Sequence, residues 1–359
     1  MKCGIIGLPQ AGKTSLFRIL TRRLAQETHH HGEAEHVGVA SVPDERLDRL
    51  AEIFHPVKTT PATVEFVDVA AIGQETLKET VYLANLRQVD GLVHVVRLFA
   101  DETVPHTKGS VDPQRDITSV ELDLLISDLA VVENRLARLA KDRVKIKSPE
   151  LEHEHALLEK ARAWLETGKP LREAEWSEQE RKRLRGFAFL SEKPLLLVLN
   201  VGEEQAVQMN DLLSAPEFEP LRHRPRTWTA AVSGKIEAEM ALLSDAEAAE
   251  FLQSYGLAEP GTPRVLRAAL ELLGLIVFFT VGEKECRAWT LPQGSTAAQA
   301  AGVIHTDLEK HFIRAEVVPW DKLLEAGTLA DARQKGTLRL EGKDYIVRDG
   351  EIVHIRHSG

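Results

Sequence analysis

Gly7-Leu8-Pro9-Gln10-Ala11-Gly12-Lys13-Thr14 places a glycine at each end of a short turn, followed at once by a lysine and a hydroxyl residue. This is the pattern GxxxxGK[ST]. Glycine lets backbone N–H groups turn inward around an anion, where a side chain would obstruct them. The lysine reaches the outer phosphates of a nucleoside triphosphate, and the threonine hydroxyl binds the Mg²⁺ that accompanies them. The chemistry requires a strand before the loop and a helix after it. The apolar run Lys2–Ile6 and the helical run Ser15–Leu24 supply both, and the helix N-terminus adds its positive end. Gly7, Gln10, Ala11, Gly12, Lys13, Thr14 and Ser15 are therefore the candidate phosphate-binding residues. Thr14 is also a candidate metal ligand, and Lys13 a candidate catalytic group.

A second loop addresses the base. Asn200-Val201-Gly202-Glu203 follows the apolar run Leu195–Leu199, at the carboxyl end of a strand, where ligands of parallel sheets collect. GTPases place Asn-Lys-x-Asp in this position, and the aspartate accepts from guanine N1–H and its 2-amino group. Here Val201 replaces the lysine and Glu203 the aspartate. Glutamate is one methylene too long for the same bidentate fit, and adenine offers neither donor. Guanine specificity is thus expected to be lost. Ser233-Gly234-Lys235, after the apolar run Trp228–Val232, resembles the last base-binding loop of such proteins, which makes Ser233 a further candidate.

The elements that must position these loops alternate. Short apolar runs at Lys2–Ile6, Val37–Val42, Thr63–Val67, Gly91–Val96 and Leu195–Leu199 are separated by helical patterns, as in a parallel α/β sheet. The series is interrupted. Leu125, Leu129, Val132, Leu136 and Leu139 recur at spacings of four and three, a coiled-coil seam. Beyond Pro149, Leu151, Leu158 and Leu165 keep a seven-residue period. The pattern predicts an antiparallel helical hairpin inserted into the α/β domain, with a further helix near Ser177–Leu190. From about Phe278 onward, glycines and Pro292 punctuate short β-like runs, the mark of a small β-rich module.

The chain has 359 residues, 43% hydrophobic and 28% charged, the composition of a globular protein of about two to three domains. Cys3 and Cys286 cannot form a disulfide framework, and neither has metal-ligand spacing. No run reaches the ~20 apolar residues of a membrane span, and no secretory signal pattern precedes Lys2. Cytoplasmic location is expected. A net charge of −10 argues against a wholly basic nucleic-acid binder but leaves room for a local basic face.

The sequence resembles the YchF (Obg-like ATPase) subfamily of P-loop NTPases almost end to end. The resemblance rests on Gly7–Ser15, Val42-Pro43-Asp44 with Arg46-Leu47, Glu65–Asp68, His94–Arg97 and Asn200–Glu203. It rests also on Arg287–Thr290, Gln299–Gly302, Ile304–Asp307, Phe312–Ala315 and Glu341–Val347. It implies a G domain in two parts (1–118 and 191–276), a helical coiled-coil insertion (119–190) and a C-terminal β-grasp, ubiquitin-like TGS domain (277–359). It further implies ATP in preference to GTP, association with ribosomes, and a cleft suited to RNA between the helical and TGS domains. In the subfamily an apolar residue replaces the usual catalytic glutamine, and a histidine on a mobile loop substitutes for it. Ile72 holds the apolar position, and His106 falls where that histidine would act on the attacking water.

Two departures stand out. The switch I loop reads Thr28-His29-His30-His31-Gly32 through His36, so Gly32 stands where the subfamily has a threonine for Mg²⁺. The switch II pattern Asp-x-x-Gly reads Asp68-Val69-Ala70-Ala71. Asp68 is retained to hold Mg²⁺ through water, while Ala71 lacks glycine's freedom to swing. ATP binding is therefore expected, with hydrolysis and switching weakened or altered. The triple histidine reads as a solvated loop, because consecutive side chains on extended backbone diverge. Basic residues cluster in the insertion at Arg135–Lys147 and Arg181–Arg185, a local phosphate-binding footprint on an acidic protein. Two readings stand: a slow, ribosome-associated ATPase, or a nucleotide-binding scaffold with little turnover that binds RNA or protein through the insertion and TGS domain. Nothing in the sequence demands more than a monomer.

Overall fold

A computed structural model describes residues 1–22, 36–68 and 80–358. Close packing divides these into two units, Met1–Gly38 with Glu65–Leu272, and Val39–Val64 with Leu273–Gly359. The expectations placed on Thr28–Gly32, Ala71 and Ile72 lie outside the described residues.

One sheet consists of β1 (Lys2–Ile6), β2 (His36–Val42), β4 (Ala62–Asp68), β5 (Gly91–Arg97), β6 (Leu195–Asn200) and β7 (Thr227–Val232), in the order β2-β4-β1-β5-β6-β7. From β4 to β7 every pairing is parallel. β5 and β6 are buried at every position, which explains why their sequences read as continuous apolar runs and do not alternate. The register Ile5↔Asp68 and Arg97↔Asn200 brings the carboxyl ends of the strands to one edge. That edge carries the candidate site.

Helix α1 (Lys13–Thr21) follows β1, α2 (Glu45–Phe54) follows β2, and α3 (Thr80–Gln88) leads into β5. Helix α4 (Pro113–Lys145) is one continuous helix capped by the Asp112 side chain on the Arg115 N–H at 3.1 Å. Its first turns, with Ile117, Val120 and Leu124, pack in the sheet's core. Beyond them Leu125, Val132, Leu136 and Leu139 face Leu157, Leu158, Ala161 and Leu165 of α5 (Pro149–Glu166). The predicted seam is thus the hairpin core. Its antiparallel sense is fixed by Arg135 on Glu154 at 2.6 Å and Arg143 on Glu152 at 2.7 Å. The third helix of the insertion, α6 (Glu178–Leu184), is shorter than the run 177–190 suggests. A capping box of Ser177 and Glu180 starts it, and Ala188 in the left-handed region closes the turn that follows.

The hairpin's root is polar. Asp128 of α4 is fully buried and accepts the backbone N–H of Leu190 (2.9 Å) and Ser191 (2.7 Å) and the Arg87 guanidinium of α3 (3.1 Å). A buried carboxylate persists only with such a complement of partners. Glu121 of α4 joins the buried Arg172 to the half-buried Arg224.

In the second unit β8 (Leu275–Thr280), β9 (Glu285–Pro292), β10 (Phe312–Pro319), β11 (Arg339–Glu341) and β12 (Glu351–His357) form a mixed sheet, order β11-β10-β12-β8-β9-β3. The outermost strand, β3 (Lys58–Thr60), comes from early in the chain and pairs parallel to β9. Phe278, Leu291, Val317 and Val353 pack there with Ala297, Ala300 and Ala301 of the helix Ala297–Ile304.

Candidate functional site

The phosphate loop takes the shape its glycines allow. Gly7 has φ +147°, and a Cβ there would meet the Val95 carbonyl oxygen at 2.5 Å. Gly12 has φ +96°, and a Cβ would meet Asn200 Nδ2 at 2.3 Å. Gly12 caps α1 with no side-chain hydrogen bond, which leaves the helix's first N–H groups directed at the cavity end. Gln10, between them, also adopts positive φ.

Lys13 is buried, and its ammonium donates to the Leu8 carbonyl at 2.9 Å. Burial lowers its pKa to about 8, and the charge of Asp68 opposes that shift. The ammonium is thus folded back across the loop, on a chain long enough to swing to an anion. Thr14 and Ser15 are exposed on the first turn of α1. Asp68 is buried at the carboxyl end of β4.

Asn200 joins the two loops. Its Nδ2 donates to the Ala11 carbonyl at 3.0 Å, and its Oδ1 accepts the Gly234 N–H at 3.0 Å. The side chain clamps phosphate loop to base loop, across 189 positions of sequence. Around this bridge lies a cavity of about 890 Å³ lined by Gln10, Gly12, Ser15, Asn200, Val201 and Glu203 from the sequence-derived set. Leu98, Phe99, Asp101 and Val104, absent from that set, also line it, as does Lys235 of the Ser233-Gly234-Lys235 loop.

Phe99 and Val104 of the cavity wall are held by Arg97. Its Nε donates to the Phe99 carbonyl (3.1 Å) and its Nη2 to the Val104 carbonyl (2.7 Å), with the guanidinium 4.3 Å from the Phe99 ring centroid. An arginine directly after an apolar run, Arg97 after Gly91–Val96, is the sequence signal for it. Beneath the loop His94 is fully buried, and burial pushes its ring down to about 3, so it is neutral.

Glu203 is engaged on both oxygens. Lys235 Nζ donates to Oε2 at 2.5 Å, and the Tyr255 hydroxyl donates to Oε1 at 3.1 Å. The Lys235 contact holds the carboxyl below its ordinary range. Ser233 is buried, does not line the cavity, and its hydroxyl has no hydrogen-bond partner among the described residues. His106 is also outside the cavity lining. Its Nε2 faces Asp116 of α4 at 2.9 Å, and its Nδ1 accepts the Lys108 N–H at 3.1 Å. No group of three His, Cys, Asp or Glu suited to a metal occurs among the described residues. Thr14 and Asp68 offer oxygen donors alone, which suits Mg²⁺ with its retained waters and phosphate ligands.

Comparison with known proteins covers the whole chain. The family described as 50S ribosome-binding GTPase matches residues 2–134, and one described as "Protein of unknown function (DUF933)" matches residues 275–358. The "Ribosome-binding ATPase YchF" of Bacillus subtilis (strain 168) is 37% identical over 364 residues, covering 100% of this chain and 99% of the relative. The protein of the same name from Haemophilus ducreyi is 40% identical over 363 residues, with 99% of each chain covered. The solved structure of the Schizosaccharomyces pombe YchF GTPase superposes with a TM-score of 0.86 at 29% identity, covering 99% of this chain and 97% of that one.

Proposed function

The chain belongs to the YchF family of P-loop NTPases, and on that premise we propose that it is an ATP-binding, ribosome-associated ATPase of slow turnover. The observation that carries this reading is the Asn200 bridge, which assembles a glycine-turned phosphate loop and a Glu203 base loop around one cavity.

In this reading the N–H groups of Gly12 through Ser15 hold the phosphates, and Lys13 leaves the Leu8 carbonyl for the outer phosphate oxygens. Gly7, Gln10 and Ala11 give the loop its path. Mg²⁺, held by Thr14 and through water by Asp68, supplies charge neutralisation when bound. Asn200 and Val201 set the base-side wall, with Ser233 behind it, and Glu203 disfavours guanine. His106 is the group for the attacking water once its loop leaves Asp116. The helical insertion (119–190) and the C-terminal segment 277–359, read as a TGS domain, carry the ribosome or RNA contact, and the protein works in the cytoplasm as a monomer.

The alternative, a nucleotide-binding scaffold with little turnover, is favoured by one observation: His106 is held outside the cavity. Titration with fluorescent ATP and GTP analogues, with and without Mg²⁺, followed by phosphate release with and without ribosomes, separates the two. The ATPase reading expects Mg²⁺-dependent ATP binding, weak GTP binding, and phosphate release that ribosomes alter. Binding without release supports the scaffold. Absence of ATP binding overturns the ATPase reading and leaves a scaffold that works without nucleotide.

A further inference from the structure

Glu203 lies on the cavity wall with both carboxylate oxygens already occupied. Lys235, on the same wall, gives its ammonium to Oε2 at 2.5 Å, and Tyr255 gives its hydroxyl to Oε1 at 3.1 Å. The three come from different segments. Glu203 opens the turn after β6, Lys235 sits on the helix Gly234–Met240, and Tyr255 follows the helix Asp245–Ser254. Tyr255 is itself fixed, its ring 5.1 Å from that of Phe251 and packed against the sheet's core.

A carboxylate that reads guanine must turn both oxygens to two adjacent donors, N1–H and the 2-amino group. The length of glutamate already disturbs that fit. Length alone is a soft obstacle, since an extra methylene can be folded away by rotation. A carboxylate held at both oxygens cannot rotate without breaking two hydrogen bonds, one to a cation, and hydrogen bonds to charged groups are the stronger kind. Adenine has no such donor pair and asks nothing of Glu203.

We infer that Lys235 and Tyr255 are specificity-determining residues that clamp Glu203 and so exclude guanine nucleotides from the cavity. The inference rests on the ATP-binding reading above and names how its base preference is enforced. Lys235 is largely exposed, so the Lys235 arm contributes modestly. The Tyr255 hydroxyl, on an anchored ring, supplies the directional arm. Neither arm suffices alone.

The test is the ratio of dissociation constants for GTP and ATP, measured with fluorescent analogues on the full chain. The proteins are the wild type, Tyr255→Phe, Lys235→Met, the double variant, and Glu203→Asp in the double background. Removing both arms is expected to lower the ratio about tenfold, with each single variant giving less, as befits two coupled contacts. Restoring the shorter carboxylate in the unclamped background should lower it further. A ratio in the double variant within twofold of wild type overturns the clamp. A wild type that prefers GTP, or binds neither nucleotide, overturns the ATP reading and the clamp with it. ATP preference in the wild type, unmoved by the variants, overturns the clamp alone. Nucleotide binding by each variant also reports that it has folded.

Discussion

The ring of His106 lies 2.9 Å from the carboxylate of Asp116 and accepts the Lys108 N–H on its other nitrogen. With Nδ1 accepting, a neutral ring carries its proton on Nε2 and donates it to Asp116. In this arrangement neither nitrogen is available to a water in the cavity. Asp116 also holds Arg115 and belongs to α4, the helix that continues into the hairpin. The first turn of α4 and the candidate catalytic histidine are therefore in direct contact.

If His106 acts on the attacking water after leaving Asp116, His106→Ala lowers phosphate release by at least ~100-fold, within the usual range for a general base, while ATP affinity is unchanged. Asp116→Ala, which frees the ring, should raise ribosome-independent release about tenfold, the equivalent of one hydrogen bond to a charged group. Steady-state phosphate release checks both. Loss of release in Asp116→Ala would instead make the carboxylate a partner in the working geometry.

Asn200→Ala removes the bridge and leaves the Ala11 carbonyl and the Gly234 N–H without their partner. The expected destabilisation is about 1–3 kcal/mol, the cost of stranding buried backbone groups, with weaker binding of every nucleotide tested. Gly12→Ala attacks the same junction from the other side, because its methyl would lie 2.3 Å from Asn200 Nδ2 at a positive φ. Thermal unfolding and nucleotide titration of both variants check this. Unchanged affinity in either would remove the bridge from the binding argument.

The ammonium of Lys13 is retained against its burial. Its folded pKa of about 8 lies below the ordinary 10.5, so the unfolded chain binds this proton more tightly. Below pH 8 the charge is a standing cost to the folded state, and between about 8 and 10.5 this group makes stability rise with pH. Lys13→Met should therefore raise the melting temperature of the ligand-free protein at pH 7, with the advantage over wild type fading above about pH 10. The same variant should lose nucleotide binding. Melting curves across this pH range decide it, and a destabilised variant at pH 7 would refute the argument.

Asp128→Ala strands two backbone N–H groups at the hairpin's root and takes from the Arg87 guanidinium its carboxylate partner. Breaking such a buried cluster from one side costs about 3–5 kcal/mol, readable in denaturant unfolding. Leu129→Ala, one residue along on the partly buried side of the seam, should cost less. A reversal of that order would mean that the hydrophobic seam, and not Asp128, anchors the arm.

The sequence by itself determined every feature carried by neighbouring residues or by a period. The phosphate loop is contiguous, so its glycines, lysine and threonine could be assigned roles from spacing alone. The strands β5 and β6 are buried on both faces and read as unbroken apolar runs. The arm's seam repeats, and its residues are the ones that pack. Tertiary structure alone decided the rest. Nothing near Asn200 in the chain says that it holds Ala11, and nothing near Glu203 names Tyr255. The pairing of β3 with β9 joins a three-residue strand to one more than two hundred positions away. A single side chain bonded to a distant backbone group or carboxylate has no period and no characteristic neighbour. It becomes visible only when the sheet brings strand ends to a common edge. His106 shows the same limit: the resemblance to the subfamily suggested a role on the attacking water, and only the packing of α4 revealed the carboxylate that holds it.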